Sequence, residues 1–210
     1  MKREQNMVTE FMYSASQTVR TTPLLPPIPL DLTERRFCWL FEEVCEIQQA
    51  PNIISLADGL ADLIYIALGA ACELGTTPHE PFKTLTGFLR KCEQSMKVRG
   101  HEIYYIPQSI RNKQLCDNYI SRLIKLVSKF PAFRDAAILN TSLEAIIETA
   151  CEFALYLGLP LSAIFDEVHR SNMTKFIDGF RDPLDGKWRK GPLWTPPNLE
   201  PIIFEYVKDR

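Results

Sequence analysis

Apolar residues recur every three or four positions along most of the chain, which is the spacing of helices that bury one face. The pattern predicts helices over residues 7–20, about 31–49, about 54–74, about 113–130 and 142–157. Residues 31–34 offer an N-cap for the second helix. The proline-rich residues 22–29 cannot be helical and are expected to lie extended across the surface. We therefore expect an all-α fold.

Acidic residues interrupt the apolar face of the second predicted helix. On a helical wheel, Leu40, Val44 and their apolar neighbours form one arc, and Glu43 lies at the edge of that arc. Glu46 lies about 60° further out, and Glu42 points furthest from the arc. We expect Glu43 and Glu46 to face inward and Glu42 to be solvated or to lie behind the inward acids.

The third predicted helix is apolar nearly all round, so it is expected to be buried and to end at Gly75. Asp58 and Asp62 share its one polar stripe, with Tyr65 and Gly69 close by. A buried carboxylate is costly unless it is paired or binds a metal. The alternatives are therefore salt bridges to arginine, a place near the helix N-terminus for Asp58, or a metal site. Carboxylates that face each other between helices favour a hard cation such as Mg²⁺, which usually handles phosphates.

The chain contains a candidate internal repeat. A shift of 83 residues aligns residues 58–82 with residues 141–165, and seven of these 25 positions are identical. The identities are Leu60/Leu143, Ile64/Ile147, Ala67/Ala150, Ala71/Ala154, Leu74/Leu157, Gly75/Gly158 and Phe82/Phe165. The positions opposite Glu43, Glu46 and Asp62 are not acidic, and only the second half has the motif Asn172-x-x-Lys175. The pattern predicts a tandem duplication with one composite site, built from acids of the first half and phosphate-facing groups of the second.

Composition narrows the class of protein. The 210 residues carry 24 lysines and arginines against 26 aspartates and glutamates, so no basic face is expected for binding nucleic acid. No apolar run reaches the roughly 18–20 residues of a membrane span, and the polar N-terminal residues are not a signal peptide. The six cysteines form no C-x-x-C pair, and the three histidines show no zinc-ligand spacing. We expect free thiols in a cytoplasmic protein without a membrane partner.

The length suits one large domain or two small ones. The patterns predict five segments. They are an N-terminal helix and proline-rich arm (1–30), a first helical repeat with the metal-binding acids (31–92), a linker with room for a short strand or turn (93–114), a second helical repeat with the Asn-x-x-Lys motif (115–175), and a C-terminal tail that closes over the site (176–210).

These residues resemble the all-α nucleotide pyrophosphatases, the superfamily of MazG, dimeric dUTPases and phosphoribosyl-ATP pyrophosphohydrolase. Members carry E-x-x-E on one helix and an acid-x-x-Asp on the next, and Glu43-x-x-Glu46 matches the first motif. The second motif matches in part, since Asp62 keeps its place while Gly59 stands where the leading acid falls. Asp58 gives instead an Asp-x-Leu-x-Asp variant that resembles the phosphoribosyl-ATP-pyrophosphohydrolase-like branch.

Further segments carry the same resemblance. Residues 165–175 look like the phosphate-side motif of that branch, and residues 185–197, with their Asp-Gly-Lys, Lys-Gly and Pro-Pro pairs, look like its C-terminal tail. The likeness covers residues 7–75 and 143–203 and leaves 76–142 as added material. It implies a helical bundle of the all-α NTP pyrophosphatase type.

The resemblance implies cleavage of a nucleoside triphosphate between its α and β phosphorus atoms, which yields a monophosphate and pyrophosphate. It implies that Glu43, Glu46 and Asp62, with Asp58 as the further candidate, hold Mg²⁺, or Mn²⁺ in its place. Glu42 and Glu43 are the candidates for the base that orients the attacking water.

The same resemblance implies that Asn172, Lys175 and Arg170 hold the phosphates or sugar, and that Lys187 and Lys190 close over the phosphates from the tail. The alternatives are a surface salt bridge for Arg170 and a solvated basic loop for the two tail lysines. Members often build the site across two subunits. The chain is therefore expected to be a homodimer, or a monomer whose halves imitate one.

Two other functions stay open. A non-catalytic helical protein would bind a nucleotide or a partner without metal, and the departure at Gly59 favours this alternative. A phosphoribosyl-ATP pyrophosphohydrolase-like enzyme would have a similar site and differ only in its substrate. Beside the site, His169 and Trp188 are expected to pack, with contact to a base as the alternative.

Overall fold

The computed structural model describes residues 2–78, 96–99, 102–105 and 110–208. Seven helices occupy most of these residues: α1 (Lys2–Ser14), α2 (Leu30–Gln49), α3 (Ile53–Leu74), α4 (Ile110–Lys129), α5 (Ala136–Tyr156), α6 (Leu161–Asp178) and α7 (Leu199–Lys208). Two short antiparallel strand pairs join β1 (Met96–Arg99) to β2 (Glu102–Tyr105) and β3 (Phe180–Arg181) to β4 (Trp188–Arg189). The predicted all-α character is confirmed.

Helix α3 lies at the centre of the bundle because it is apolar on nearly every face. It packs against α1, α2, α5 and α6, and its predicted burial and its end at Gly75 are confirmed. By length and composition, α3 and the bent pair α5–α6 are the described segments apolar enough to cross a membrane. However, 67% of the α3 window is buried inside the protein, which is also true of core helices.

The N-terminus of α2 differs from its predicted form. The helix begins at Leu30, directly after Pro29, and no side chain caps it. Thr33, expected in the cap region, lies inside the first turn and its hydroxyl donates to the Leu30 carbonyl. The predicted cap at residues 31–34 is therefore wrong, because the extended proline arm already sets the backbone direction up to the helix.

Helices α1 and α5 begin earlier than predicted. Helix α1 runs from Lys2 to Ser14, so its predicted end at residue 20 is wrong: the backbone turns at Ser16, whose φ is 52°. Helix α5 begins at Ala136 because the Asp135 carboxylate accepts hydrogen bonds from the next free backbone amides, Ala137 at 2.8 Å and Ile138 at 3.2 Å. The aspartate cap extends the helix beyond its apolar periodic part.

The proline-rich arm is non-helical, as predicted, and lies along the C-terminal end of α3. The amide of Arg20 donates to the Cys72 carbonyl at 2.9 Å, and the amide of Leu24 donates to the Leu74 carbonyl at 2.9 Å. The predicted linker 93–114 lies partly outside the described residues, and its described part holds β1, β2 and the start of α4. Within the described residues no cysteine forms a disulfide, and Cys92 lies outside them.

The two halves share several features at the predicted offset of 83 residues. Helix α3 begins at Ile53 and α5 at Ala136, and both are followed by a left-handed glycine, Gly75 with φ 73° and Gly158 with φ 72°. Three buried residues of α2 match buried residues of α4 and of the turn directly after it at the same offset: Leu40/Leu123, Val44/Val127 and Ile47/Phe130. The halves therefore agree in helix positions and in their buried faces.

Substitution of Gly75 by alanine should destabilise the protein by about 2 kcal/mol or more. Gly75 has a φ of +73°, and an added Cβ would lie 2.0 Å from the Thr22 carbonyl oxygen. Gly186 is the matched control because its φ is +75° but its nearest neighbour would be the Arg181 guanidinium at 3.5 Å. Urea titration should give a loss of about 1 kcal/mol for Gly186→Ala. Equal losses in the two variants would contradict the prediction.

Candidate functional site

A pocket of about 110 Å³ lies between α1, α2, α3, α6 and the tail that follows α6. Five of the predicted site residues line it: Glu43, Asp62, Asn172, Lys175 and Lys187. Aromatic rings form much of the remaining wall, from Phe11, Trp39, Tyr65 and Trp188. Acids from the first half of the chain and cations from the second half therefore meet at one place.

Glu43 is the most enclosed acid of α2, with 7% of the residue exposed, as its wheel position predicts. Burial, together with the negative charge of Asp62, raises its pKa to about 8, although the charge of Lys187 opposes the rise. The Lys187 ammonium lies 3.9 Å from the Glu43 carboxylate. One lysine therefore compensates only part of the cost of ionising Glu43.

Asp62 lies opposite Glu43 on α3 and faces the polar groups of α6. Burial raises the pKa of Asp62, whereas the charge of Lys175 and a hydrogen bond from Asn172 act against this rise. Lys175 donates to the Asn172 side-chain oxygen at 2.6 Å, and burial lowers the pKa of Lys175. The cation beside Asp62 is therefore a lysine of the Asn-x-x-Lys motif and not an arginine.

Asp58 and Glu46 lie beside the pocket and not in its lining. Burial raises the pKa of Asp58 to about 7, and the Asp58 Oδ1 atom is buried without a hydrogen-bond partner. Glu46 is exposed, so the expectation that it faces inward is wrong. Its position, about 60° beyond Glu43 on the helix, turns it to solvent. Its charge nevertheless raises the pKa of both Asp58 and Asp62.

The tail lysines lie on the pocket side of the tail. Lys187 has only 16% of its side chain exposed, forms an ion pair with Glu42, and lies 5.8 Å from the centre of the Trp39 ring. Glu42 is half-exposed, and Lys187 pairs it at the pocket mouth. Lys190 lies 4.0 Å over the Trp194 ring, and its charge lowers the pKa of Asp58.

Arg170 points away from the pocket. Its guanidinium makes two hydrogen bonds to Glu167, at 2.8 and 2.9 Å, and donates to the Thr195 hydroxyl at 2.7 Å and the Pro196 carbonyl at 2.9 Å. The side chain therefore takes the salt-bridge alternative and fastens the tail to α6.

Two pocket features have no signal in the sequence. Trp39 lies outside the predicted apolar arc of α2, about 40° beyond Glu43 on the helical wheel, and nothing in the helical pattern marks it as a pocket residue. The buried Arg36 pairs with Glu73 at 2.7 Å and stacks over the Trp39 ring at 4.8 Å. Arg36 therefore holds the Trp39 ring in place at the pocket wall.

The metal-free protein should lose stability as the pH rises from about 6 to 8.5. The folded-state pKa values of Glu43 and Asp58, about 8 and about 7, lie above their ordinary values, so folding favours the protonated carboxyls. That stability is fully present below the ordinary pKa and is lost as the pH rises through the raised pKa. Denaturation in chelator should show a loss on the order of 3 kcal/mol over this range. We expect the free energy of unfolding to fall less steeply with pH in Glu43→Gln than in wild type. The control Glu34→Gln, at an exposed position, should show the wild-type pH dependence.

The donor set fits a hard divalent cation. The buried Asp58 oxygen has no partner, and three carboxyls with raised pKa values lie at one junction of helices. No group of three or more histidine, cysteine, aspartate or glutamate side chains in the described part of the chain is already arranged as metal ligands. In this conformation, the Lys187 ammonium contacts both Glu42 and Glu43 and supplies positive charge among the acids.

Comparison of the chain with protein-family models, with curated proteins and with solved structures found no match. The resemblance to the all-α nucleotide pyrophosphatases is therefore a resemblance of sequence motifs alone. The geometry of the pocket is independent of that relation.

Proposed function

We propose that the protein is a Mg²⁺-dependent nucleotide pyrophosphohydrolase that cleaves a nucleoside or deoxynucleoside triphosphate to the monophosphate and pyrophosphate. One observation carries the proposal. Glu43 and Asp62, on two adjacent helices, face Lys175 and Asn172 of a third helix across one pocket, and Lys187 faces them from the tail. This arrangement combines acids for a metal with donors for phosphate oxygens.

Glu43, Asp62 and Asp58 would hold the metal ion, with Glu46 at the exposed edge of the set. A Mg²⁺ or Mn²⁺ ion held there would neutralise phosphate charge and would lower the pKa of the attacking water. The raised pKa values of these carboxyls are consistent with this role, since each group gains a countercharge when a cation binds.

The remaining residues position the substrate. Lys175, fixed by its bond to Asn172, is placed to donate to a phosphate oxygen, and Lys187 and Lys190 are placed to pair with further phosphate charge from the tail. Glu42, at the mouth, and Glu43, inside the pocket, are the candidates to accept a proton from water. In phosphoryl transfer such positioning and charge stabilisation account for most of the rate.

We also propose that the fold is a tandem duplication, a bundle of the all-α NTP pyrophosphatase type within one chain. The shared offset of 83 residues, the paired left-handed glycines and the matching buried faces support it. The first half kept the acids and the second kept the Asn-x-x-Lys motif. A single chain then contains a whole site and can act as a monomer.

The test is pyrophosphate release from a panel of nucleoside triphosphates, with dUTP, dCTP and phosphoribosyl-ATP included, with and without Mg²⁺. We expect wild-type protein to release pyrophosphate only with the metal. Asp62→Asn and Lys175→Gln should both reduce this release, and Glu34→Gln should leave it unchanged. Full activity of Lys175→Gln would contradict the composite site. Release from phosphoribosyl-ATP alone would assign the enzyme to that biosynthetic class.

A second candidate function is binding without catalysis. The contact of Lys187 with Glu42 and Glu43 favours it, because the chain's own cation then balances the acids and no metal is needed. A folded protein that binds nucleotides equally well in chelator and in Mg²⁺, and releases no pyrophosphate, would select this function.

Lys187→Met should tighten Mg²⁺ binding by about tenfold, because an ammonium that repels the incoming cation is removed. The same change should slow pyrophosphate release, since a phosphate-facing charge is lost. Calorimetric titration of the nucleotide-free protein with Mg²⁺ measures the affinity, and Lys129→Met, at an exposed position of α4, is the matched control. Weaker Mg²⁺ binding in Lys187→Met would contradict the prediction.

A further inference from the structure

A row of three polar side chains runs from the surface to the pocket wall. The Tyr65 hydroxyl lies 2.9 Å from His169 Nδ1, and His169 Nε2 lies 3.7 Å from a carboxylate oxygen of Glu10. Glu10 is exposed, whereas Tyr65 is 4% exposed and lines the pocket. The proposed cleavage chemistry uses none of the three residues.

The Glu10 carboxylate, 3.7 Å from His169 Nε2, favours one of the two neutral forms of the His169 ring. Burial lowers the pKa of His169 against the opposing charges of Glu10 and Asp166, so the ring is neutral at neutral pH. A carboxylate beside Nε2 favours hydrogen on that nitrogen and leaves Nδ1 as an acceptor. In this tautomer Tyr65 donates its only hydroxyl hydrogen to His169 Nδ1, and its oxygen keeps lone pairs for another partner.

The Tyr65 ring is fixed in its position. Phe11 packs edge-on at 5.5 Å between ring centres, and Phe165 stacks at 5.5 Å. The hydroxyl is near enough to Asp62, which also lines the pocket, for that carboxylate to add to the effect of burial in raising the pKa of Tyr65. The oxygen is thus held at the pocket wall in one orientation.

Two other polar groups of the pocket wall already have partners. Asn172 accepts a hydrogen bond from Lys175 and is bonded to Asp62. The Arg36 guanidinium donates to Glu73. Tyr65 therefore contributes an acceptor, and not a donor, to a pocket whose aromatic walls suit a flat heterocycle.

We propose that the Tyr65–His169–Glu10 row makes the pocket select nucleobases that carry an exocyclic amino group over bases with a carbonyl oxygen at the same position. The inference rests on the proposed nucleotide substrate and adds its base class. An amino group donates to the Tyr65 oxygen, whereas a carbonyl oxygen brings two acceptors together and leaves both unpaired. The loss is expected to be about tenfold in affinity. His169 acts as the positioning residue that takes up the hydroxyl hydrogen.

The test uses nucleoside monophosphates that differ in this one group: CMP against UMP, and AMP against IMP. Calorimetric titration of the full chain in Mg²⁺ should give about tenfold tighter binding of the amino member in whichever pair the pocket accepts. Tyr65→Phe should bring the ratio of the two dissociation constants close to one. Tyr13→Phe, which changes a tyrosine that is 63% exposed on α1, should leave the ratio unchanged.

Two substitutions at His169 distinguish its role as an acceptor for the Tyr65 hydroxyl from a role in packing alone. In His169→Asn, the side-chain oxygen takes the place of Nδ1 as acceptor and should retain the preference. In His169→Ala, the Tyr65 hydrogen is released to the pocket, and the preference should vanish or reverse. The inference is overturned if His169→Ala keeps the full preference for the amino-bearing nucleotide. It is also overturned if wild-type protein binds both nucleotides of each pair equally, or binds none of them.

The outcomes also distinguish this inference from the proposed enzyme. Amino-selective binding without pyrophosphate release from any substrate overturns the enzyme and leaves the selective pocket. Release at equal kcat/KM from dCTP and dUTP, and from ATP and ITP, overturns the selective pocket and leaves the enzyme.

Discussion

Substitution of Glu43 by glutamine should reduce Mg²⁺-dependent pyrophosphate release by about a thousandfold and, at the same time, stabilise the metal-free protein. The first effect follows from the loss of a carboxylate ligand at the proposed metal. The second follows from burial, since Glu43 is 7% exposed and its pKa is raised to about 8, so that ionisation of the folded protein costs free energy. The neutral amide avoids that cost and the repulsion from Asp62.

The opposite signs of the two effects make this prediction specific. A residue that merely supports the fold would lose activity and stability together. Pyrophosphate release and thermal denaturation in chelator at about pH 8 measure the two effects, and Glu34→Gln on the same helix controls for loss of one negative charge. A destabilised and inactive Glu43→Gln would show that the carboxylate is a structural partner of Lys187.

Substitution of Glu73 by glutamine should destabilise the protein by about 3 kcal/mol. Glu73 accepts hydrogen bonds from Arg36 at 2.7 Å and from Arg35 at 2.6 Å, and only 3% of the Arg36 side chain is exposed. Burial already lowers the pKa of Arg36, and the Glu73 charge is its main compensation. Without that charge a buried guanidinium is left uncompensated.

The ion pair between Arg122 and Glu152 is the matched control. Its distance of 2.8 Å is similar, but 48% of the arginine side chain is exposed. Glu152→Gln should therefore cost less than about 1 kcal/mol. Urea titration of both variants measures the difference, and equal losses would mean that burial of Arg36 contributes nothing.

The sequence predicts those parts of the fold that depend on local pattern. Helix α3 is apolar along its length and is followed by a glycine. Its burial and its C-terminus can therefore be predicted from residues that are close together in the sequence. The inward position of Glu43 follows from the same periodicity. The start of α2 does not follow from local pattern, because the extended backbone before Pro29 replaces the side-chain cap that the sequence predicts at residues 31–34.

Contacts between distant segments lie beyond such patterns. The pairing of Lys187 with Glu42 joins residues 145 positions apart, and it depends on the path of the tail across α2. Arg170 belongs to the predicted phosphate motif, yet Glu167, one turn earlier on α6, captures its guanidinium. The motif at residues 165–175 does not indicate by itself that Arg170 contacts the tail while Lys175 lines the pocket.

The composite pocket also has a consequence for synthesis of the protein. All the acids of the site lie between residues 42 and 62, and the cations that balance them lie between residues 175 and 190. Because synthesis proceeds from the N-terminus, α2 and α3 leave the ribosome long before any compensating charge exists. The first half of the chain should therefore stay open at the acid face, exposed to solvent and to chaperones, until α6 and the tail emerge and neutralise it.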